Sequence, residues 1–338
     1  RGRRLQLPPP LQHWFSLTTV ELSIVIPVVD SADLLSKLLR DLEGLAVTFE
    51  VFVIDGGSTD GTAQIIHEYA QARRAVYNIS LSTPRPAGLL RNLAIPLIDG
   101  EYTLFVDADD GIDAGALNLA LEIAKKQNAD VMMLPYSLAF VTDEGPANAT
   151  TFELRGMDPH DREVWANSRT YVSRANKRAA FDLIAYPWNR LVRSSLLLDE
   201  QIYFGSSMVQ NDVQFHFHTI AAAKRIAFLP ADTPPVCVHR KFKNQGQLTK
   251  VASSSRLEMI GALQLTHRLL SSTKYRRSSF HAGHWTRFVT RTFDWARNNG
   301  LVPRESLGLF RRAQEVTERC SRSANTSCFF DWWQIRPP

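Results

Sequence analysis

Between residues 22 and 136 the chain alternates without interruption between short apolar runs and segments whose apolar residues recur at helical spacing. Residues 22–29 are almost continuously apolar, as a strand buried on both faces requires. Asp30 or Ser31 can cap a helix over about 33–42, where Leu34, Leu35, Leu38, Leu39 and Leu42 form one stripe. Further strands are expected at 51–54, 76–81, 102–106 and 131–136, with helices at about 63–72, around Arg91 and at 114–127. Pro96 stops the short helix at Arg91. Such alternation admits essentially one architecture: an α/β fold with a mostly parallel sheet flanked by helices.

The pattern changes after Tyr136. Residues 137–172 are mixed, with β-like pieces around Phe140 and Phe152. Helices are expected at 174–185 and 213–223, and strands at 226–229 and 236–239. From about residue 256 only helices are read, at about 256–270, 281–298 and 303–318. The chain thus divides into a leader at 1–20, with Arg1, Arg3, Arg4 and three consecutive prolines, a first α/β half at 21–136, a second half at 137–250 and a helical extension at 251–338.

Charge is unevenly spread. The net charge is +5, but residues 240–322 hold seventeen Lys or Arg against five acids, a balance of +12 that leaves −7 elsewhere. An anionic partner is therefore expected of the C-terminal region. There Trp285, Phe288, Val289 and Ala296 form an apolar stripe flanked by Phe293 and Trp295. The stripe reads either as a peripheral membrane contact or as a helix docked on the domain. No apolar run reaches the ~18 residues of a membrane span, so neither an anchor nor a secretory signal is expected and a cytoplasmic location is inferred. Cys237 reads as a buried thiol, and a bridge between Cys320 and Cys328 stays open. The sequons at Asn78, Asn148 and Asn325 are weak signals of secretion.

In an open parallel sheet, ligands sit at the carboxyl ends of the strands. Those ends carry Pro27, Val28, Val29 and Asp30, then Asp55 with Gly56 and Gly57, then Arg91, then Asp107, Ala108, Asp109 and Asp110. Three carboxylates in four residues repel one another, and a hard divalent cation bridging to phosphate oxygens would reconcile them. The bland alternative is a solvated turn capping the next helix. Asp55 can accept a hydrogen bond from a base N–H or a ribose hydroxyl, or only from its own turn. Arg91 could pair with a diphosphate bidentately. Neither a dinucleotide-binding glycine fingerprint nor a phosphate-cradling lysine loop is present. His216 and His218, two apart on a helix, point to different faces and read as structural or surface residues.

The runs SIVIPVVD, FEVFVIDGGSTDGT, LLRN and GEYTLFVDADD, followed by YPWNRLVRSSLL, IYFGSSMVQNDVQFHFHTIAAAKRIAFLP and VCVHRK, resemble glycosyltransferase family 2 over residues 21–250. The resemblance implies a GT-A fold, a Rossmann-like sheet that binds a nucleotide sugar through its first half and the acceptor through its second. It implies that Asp55 contacts a uracil base, with Pro27, Val29, Asp30 and Gly57 lining the base and ribose pocket and Arg91 in the nucleotide-contacting segment. Asp107 and Asp109 match the metal-binding Asp-x-Asp motif around Ala108, and His239 falls where a further ligand would sit. His239 and Arg240 both sit where a late basic or aromatic residue closes over the donor phosphates. Asp212 matches the general base, and Trp188, Asn189 and Asn211 fall where acceptor contacts are usual.

The same resemblance implies an inverting transferase that moves a sugar from a UDP-sugar to an acceptor hydroxyl, with Mn2+ or Mg2+ on the diphosphate. The acceptor would be a glycan, a lipid-linked or another hydroxyl compound of polysaccharide or cell-envelope synthesis. Nucleic acid is not expected as a partner, since the acidic cluster contradicts it. The sequence departs from the family in three places: Val29 and Asp30 replace Tyr-Asn, Gly56 replaces an aspartate, and Asn211 replaces the glutamate before the base. The last leaves open a catalytically weak nucleotide-sugar or glycan-binding subunit. The Gln-x-x-Arg-Trp motif of processive members is absent.

Overall fold

The computed structural model describes residues 19–73, 75–141, 152–242, 257–272, 274–275 and 280–321. The strands are β1 (Leu22–Val28), β2 (Phe49–Asp55), β3 (Val76–Ser80), β4 (Tyr102–Phe105), β5 (Gly111–Ile112), β6 (Val131–Met133), β7 (Tyr136–Val141), β8 (Phe152–Leu154), β9 (Arg190–Arg193), β10 (Ile226–Phe228) and β11 (Cys237–Phe242). The helices are α1 (Ala32–Asp41), α2 (Thr62–Ala72), α3 (Ala87–Ala94), α4 (Ala114–Lys126), α5 (Pro159–Ala166), α6 (Arg174–Asp182), α7 (Ser194–Asp199), α8 (Asn211–Ala222), α9 (Glu258–Leu270), α10 (Phe280–Asn298) and α11 (Leu307–Ser321).

Seven strands form the central sheet in the order β10-β6-β9-β4-β1-β2-β3. All pairs are parallel except the two made by β9, which runs antiparallel between β4 and β6. Every residue of β1 is buried. Val25, Phe52, Ile54 and Phe105 face one core, shared with α6, α8 and the C-terminal helices. Ile24, Ile26, Val53 and Leu104 face the other, closed by the leucine stripe of α1 and by α4. That two-residue alternation between two covered faces is what a continuous apolar strand encodes.

Beyond β6 the structure refines the expectation. The run 131–136 is two strands, because Pro135 has no N–H for the ladder. β6 stays in the central sheet and β7 leaves it for a second sheet, β5-β11-β7-β8. The β-like pieces at Phe140 and Phe152 are its antiparallel pair. Helices α5 and α7 and strand β9 have no counterpart in the sequence pattern, being too short to show a period. The two halves drawn at Tyr136 interleave, since β9 and β10 complete the sheet begun by β1.

The C-terminal helices dock on α6 and α8. Trp285, Phe288, Val289, Phe293 and Ala296 of α10 are buried, and Phe217 of α8 meets Trp285 and Phe288 edge-on at 4.8 Å each. The aromatic stripe is core, while Trp295 beside it is 39% exposed. Arg287 and Arg297 are exposed on the other side. Among the described residues no helix is long and apolar enough to cross a membrane. Cys237 is a buried free thiol whose ionisation burial pushes upward. Residues 1–18 of the leader, Cys328 and the sequons at Asn148 and Asn325 lie outside the described residues, as does the side chain of Cys320.

Candidate active site

The strand register brings the candidate residues to one edge. Val28 lies opposite Asp55, and β4 reaches the same edge one residue before Val106 leads into Asp107. Asp55 is only 4% exposed. Its Oδ1 accepts from Gly57 N at 3.1 Å, Ser58 N at 2.9 Å and Ser58 Oγ at 2.7 Å. One carboxylate oxygen is thus used to fold the turn, and the turn itself engages Oδ1 alone. Gly57 adopts φ +93°, and a Cβ there would meet Leu81 O at 3.2 Å. Asp30 also serves this turn: its Oδ1 accepts from Thr59 N at 2.6 Å, and its own N–H donates to Ser58 Oγ at 3.0 Å. Pro27 is buried in β1, whereas Val29 is 39% exposed beside it.

The carboxylates after β4 converge. Ligand oxygens of Asp107, Asp109 and Asp110 lie within 4.8 Å of one another. Burial, then the charges of Asp110 and Asp107, push the Asp109 carboxyl up to about 7. Asp110 is buried and likewise raised by burial, and its Oδ2 has no partner. An all-oxygen donor set with mutual repulsion and an orphaned buried oxygen fits a hard divalent cation. Ala108 is buried between them.

Two expected contacts are otherwise engaged. His239 stands outside the converging oxygens, and its Nδ1 donates to Asp110 Oδ1 at 2.8 Å. Burial opposes its protonation, but the Asp110 charge and hydrogen bond raise its pKa nonetheless. The pair ties His239 to Asp110, at the edge of the acidic loop. Arg240 donates Nη1 to the carbonyl oxygens of Asp109 at 3.2 Å and Asp110 at 2.8 Å. It braces the acidic loop through those two carbonyls.

Arg91 is 3% exposed. Its guanidinium forms an ion pair with Asp107, donates Nη1 to Asn211 Oδ1 at 3.2 Å and lies 5.0 Å from the centroid of the Phe204 ring. Gly88 permits this junction: a Cβ there would collide with Gly205 O, so α3 could not press against the segment before α8. Arg91 therefore links the metal-binding loop to the start of α8, turned into the protein. Its expected nucleotide contact is not what this arrangement provides.

Helix α8 begins at Asn211, so Asp212 lies in its first turn and is not the N-cap. Its carboxylate is half-buried, and no other described residue donates a hydrogen bond to it. Burial pushes it up to about 6, opposed by the Arg91 and Arg190 cations and reinforced by Asp107. The positive helix terminus favours its ionised form.

Trp188 and Asn189 are core. Trp188 is 1% exposed, stacked on Tyr186 at 4.4 Å and tilted 5.2 Å from His239. Asn189 is buried, donating Nδ2 to Ile184 O at 3.0 Å and accepting through Oδ1 from Arg190. Neither can touch an acceptor directly, and both floor the site. Sequence reasoning missed Arg190, whose one signal is a charged residue opening an apolar strand. His216 and His218 are buried, as a structural reading expects.

The Glycosyl transferase family 2 model matches residues 23–197, slightly more than half of the chain. The poly(ribitol-phosphate) beta-glucosyltransferase of Bacillus spizizenii is 34% identical over 216 residues, 62% of this chain and 31% of that protein. The poly(ribitol-phosphate) beta-N-acetylglucosaminyltransferase TarS of Staphylococcus aureus is 25% identical over 217 residues, 62% of this chain and 34% of its own length. The chain thus spans about a third of these curated relatives. The crystal structure of S. aureus TarS 1-349 in complex with UDP superposes with a TM-score of 0.64 at 20% identity, covering 94% of this chain and 92% of that one. The UDP-GlcNAc complex gives 0.62 at 20% identity, over 93% and 92%. With the family model matching more than half of its length, the chain belongs to glycosyltransferase family 2.

Proposed function

We propose that this chain transfers a sugar from a UDP-sugar to an acceptor hydroxyl with inversion, using Asp212 as general base. The observation that carries the reading is the junction at Arg91, which joins the three-aspartate loop to the helix bearing Asp212. Donor and base chemistry thereby share one edge of the sheet.

Asp107, Asp109 and Asp110 would hold the divalent cation. When bound, the cation supplies positive charge against the diphosphate leaving group. Asp55, Gly57 and the exposed Val29 bind the nucleoside, with Pro27 and Asp30 shaping the pocket from beneath. Asp212 takes the acceptor proton as the hydroxyl oxygen attacks the anomeric carbon from the face opposite the leaving group. Bond making and bond breaking on opposite faces invert the centre in one displacement, so no covalent intermediate is needed. Asn211 supplies no second carboxylate and instead anchors Arg91, so it supports the base.

The acceptor we favour is the hydroxyl of a phosphate-bearing polyol polymer. The Bacillus and Staphylococcus relatives are both poly(ribitol-phosphate) transferases, and the +12 balance over residues 240–322 suits a polyanion. The alternative is a nucleotide-sugar-binding subunit with little turnover.

The test is Asp212→Asn, assayed with UDP-GlcNAc and UDP-glucose in Mn2+. Transfer should fall by roughly 10²–10⁴-fold while donor binding stays near the wild-type value. Wild-type transfer should also decline below about pH 6, where the base protonates. Equal loss of donor binding and transfer would sink the base assignment, and UDP-sugar binding without transfer by the wild type would favour the binding subunit.

A further inference from the structure

Arg190 opens β9 and is 0% exposed. A guanidinium sealed in a core normally sits on a carboxylate, yet every partner of Arg190 is neutral. Nε and Nη2 donate to Asn189 Oδ1 at 2.9 and 2.6 Å, and Nη2 also donates to Tyr186 O at 3.2 Å and to His216 Nδ1 at 2.7 Å. Nη1 is buried and has no partner among the described residues. Burial and then Arg190 hold His216 far below its usual pKa, so its ring is a neutral acceptor. His216 lies four residues after Asp212 on α8, one turn along the same face.

Two carboxylates feel the Arg190 charge, Asp212 and Asp161. Asp161 is already satisfied, accepting from Tyr136 OH at 2.7 Å and Ile184 N at 3.0 Å. Asp212 has no donor from another described residue. The charged and titratable groups facing it are Arg91 from α3, Asp107 from the end of β4, Arg190 from β9 and Tyr186 from the segment before β9. Arg91 is occupied by Asp107 and Asn211.

We propose that Arg190 is a positioning residue for the base: a buried guanidinium which, hydrogen-bonded to His216 one helical turn from Asp212, fixes the face of α8 that presents the carboxylate and sets a positive charge behind it. The proposal rests on reading Asp212 as the base. It assigns the buried Asn189 a part as well, since its Oδ1 fixes the guanidinium plane.

The test uses the full chain with Mn2+ and donor, comparing Arg190→Met, Arg190→Lys and Asp212→Asn. Arg190→Met should move the acid limb of the kcat/KM profile up by about one pH unit. Transfer at pH 6 should then fall several-fold, with donor Kd within about twofold of wild type. Arg190→Lys should return most of the limb. An unmoved limb in Arg190→Met, or identical profiles for Met and Lys, overturns the proposal. If Arg190→Met does not fold, His216→Leu removes the anchor and should shift the limb in the same direction, and no shift there overturns the proposal equally. Should Asp212→Asn retain transfer, the base reading itself fails. An inactive Asp212→Asn beside an unmoved Arg190→Met limb defeats the Arg190 proposal alone.

Discussion

At the carboxyl ends of β1 and β2 the side-chain hydrogen bonds are local or cross a single strand pair. Asp55 accepts from amides two and three residues ahead, and Asp30 reaches Thr59 on the adjoining turn. Around Asp212 they span the chain: Arg91 meets Asn211 120 residues later, and His239 meets Asp110 across 129. The donor edge is therefore a set of self-folding turns on a rigid sheet. The base corner exists only once α3, α8 and β9 have packed. A defect in the first should stay local, whereas a defect in the second should spread through the fold.

Arg91→Met is the harshest trial of that contrast. It unpairs Asp107 in a partly buried site and frees Asn211, and the expected loss is about 3 kcal/mol in urea unfolding. Mn2+ should restore part of that loss by taking over the charge of Asp107. An equal loss with and without Mn2+ would show that Arg91 and the cation do not share this carboxylate. Gly57→Ala tests the local side: an L-residue at φ +93° facing Leu81 O should cost about 1–2 kcal/mol. Its damage should appear as weakened UDP binding with little change in the acid limb of the rate profile. A shifted limb would break the separation of the two regions. Asp30→Ala should be mildest, less than about 1 kcal/mol, since it removes only the exposed side-chain bonds to Thr59 and keeps the backbone N–H bond to Ser58. Unfolding comparable to that of Arg91→Met would reverse the ranking.

The same contrast governs what a sequence can reveal. Continuous burial and period-two packing make β1, β2 and β4 visible, and glycine-rich turns after apolar runs make Asp55 and the Asp107–Asp109 loop visible. The length of α1 is written in its leucine stripe. Partnerships over 120 residues leave no local trace. Hence Arg91 reads as a phosphate contact and is a brace, and nothing local to His239 shows that it pairs with Asp110. Trp188 and Asn189 stand out by motif position, and only packing shows that both are sealed. Arg190 escapes notice because one charged residue at a strand's start carries no period. The aromatic stripe of α10 is ambiguous because core and membrane faces are written in the same residues.

The insertion of β9 bears on how the chain reaches its shape. Strands β1 to β4 and β6 have all been synthesised by residue 133, yet β4 and β6 have no bond to each other and wait for residues 190–193 to join them. Until then both carry bare edges, the feature that invites pairing with another chain. Closure across so many residues makes late, slow assembly the natural course. A chain ending near residue 141 would hold every donor-side motif and still present two open strands to its neighbours.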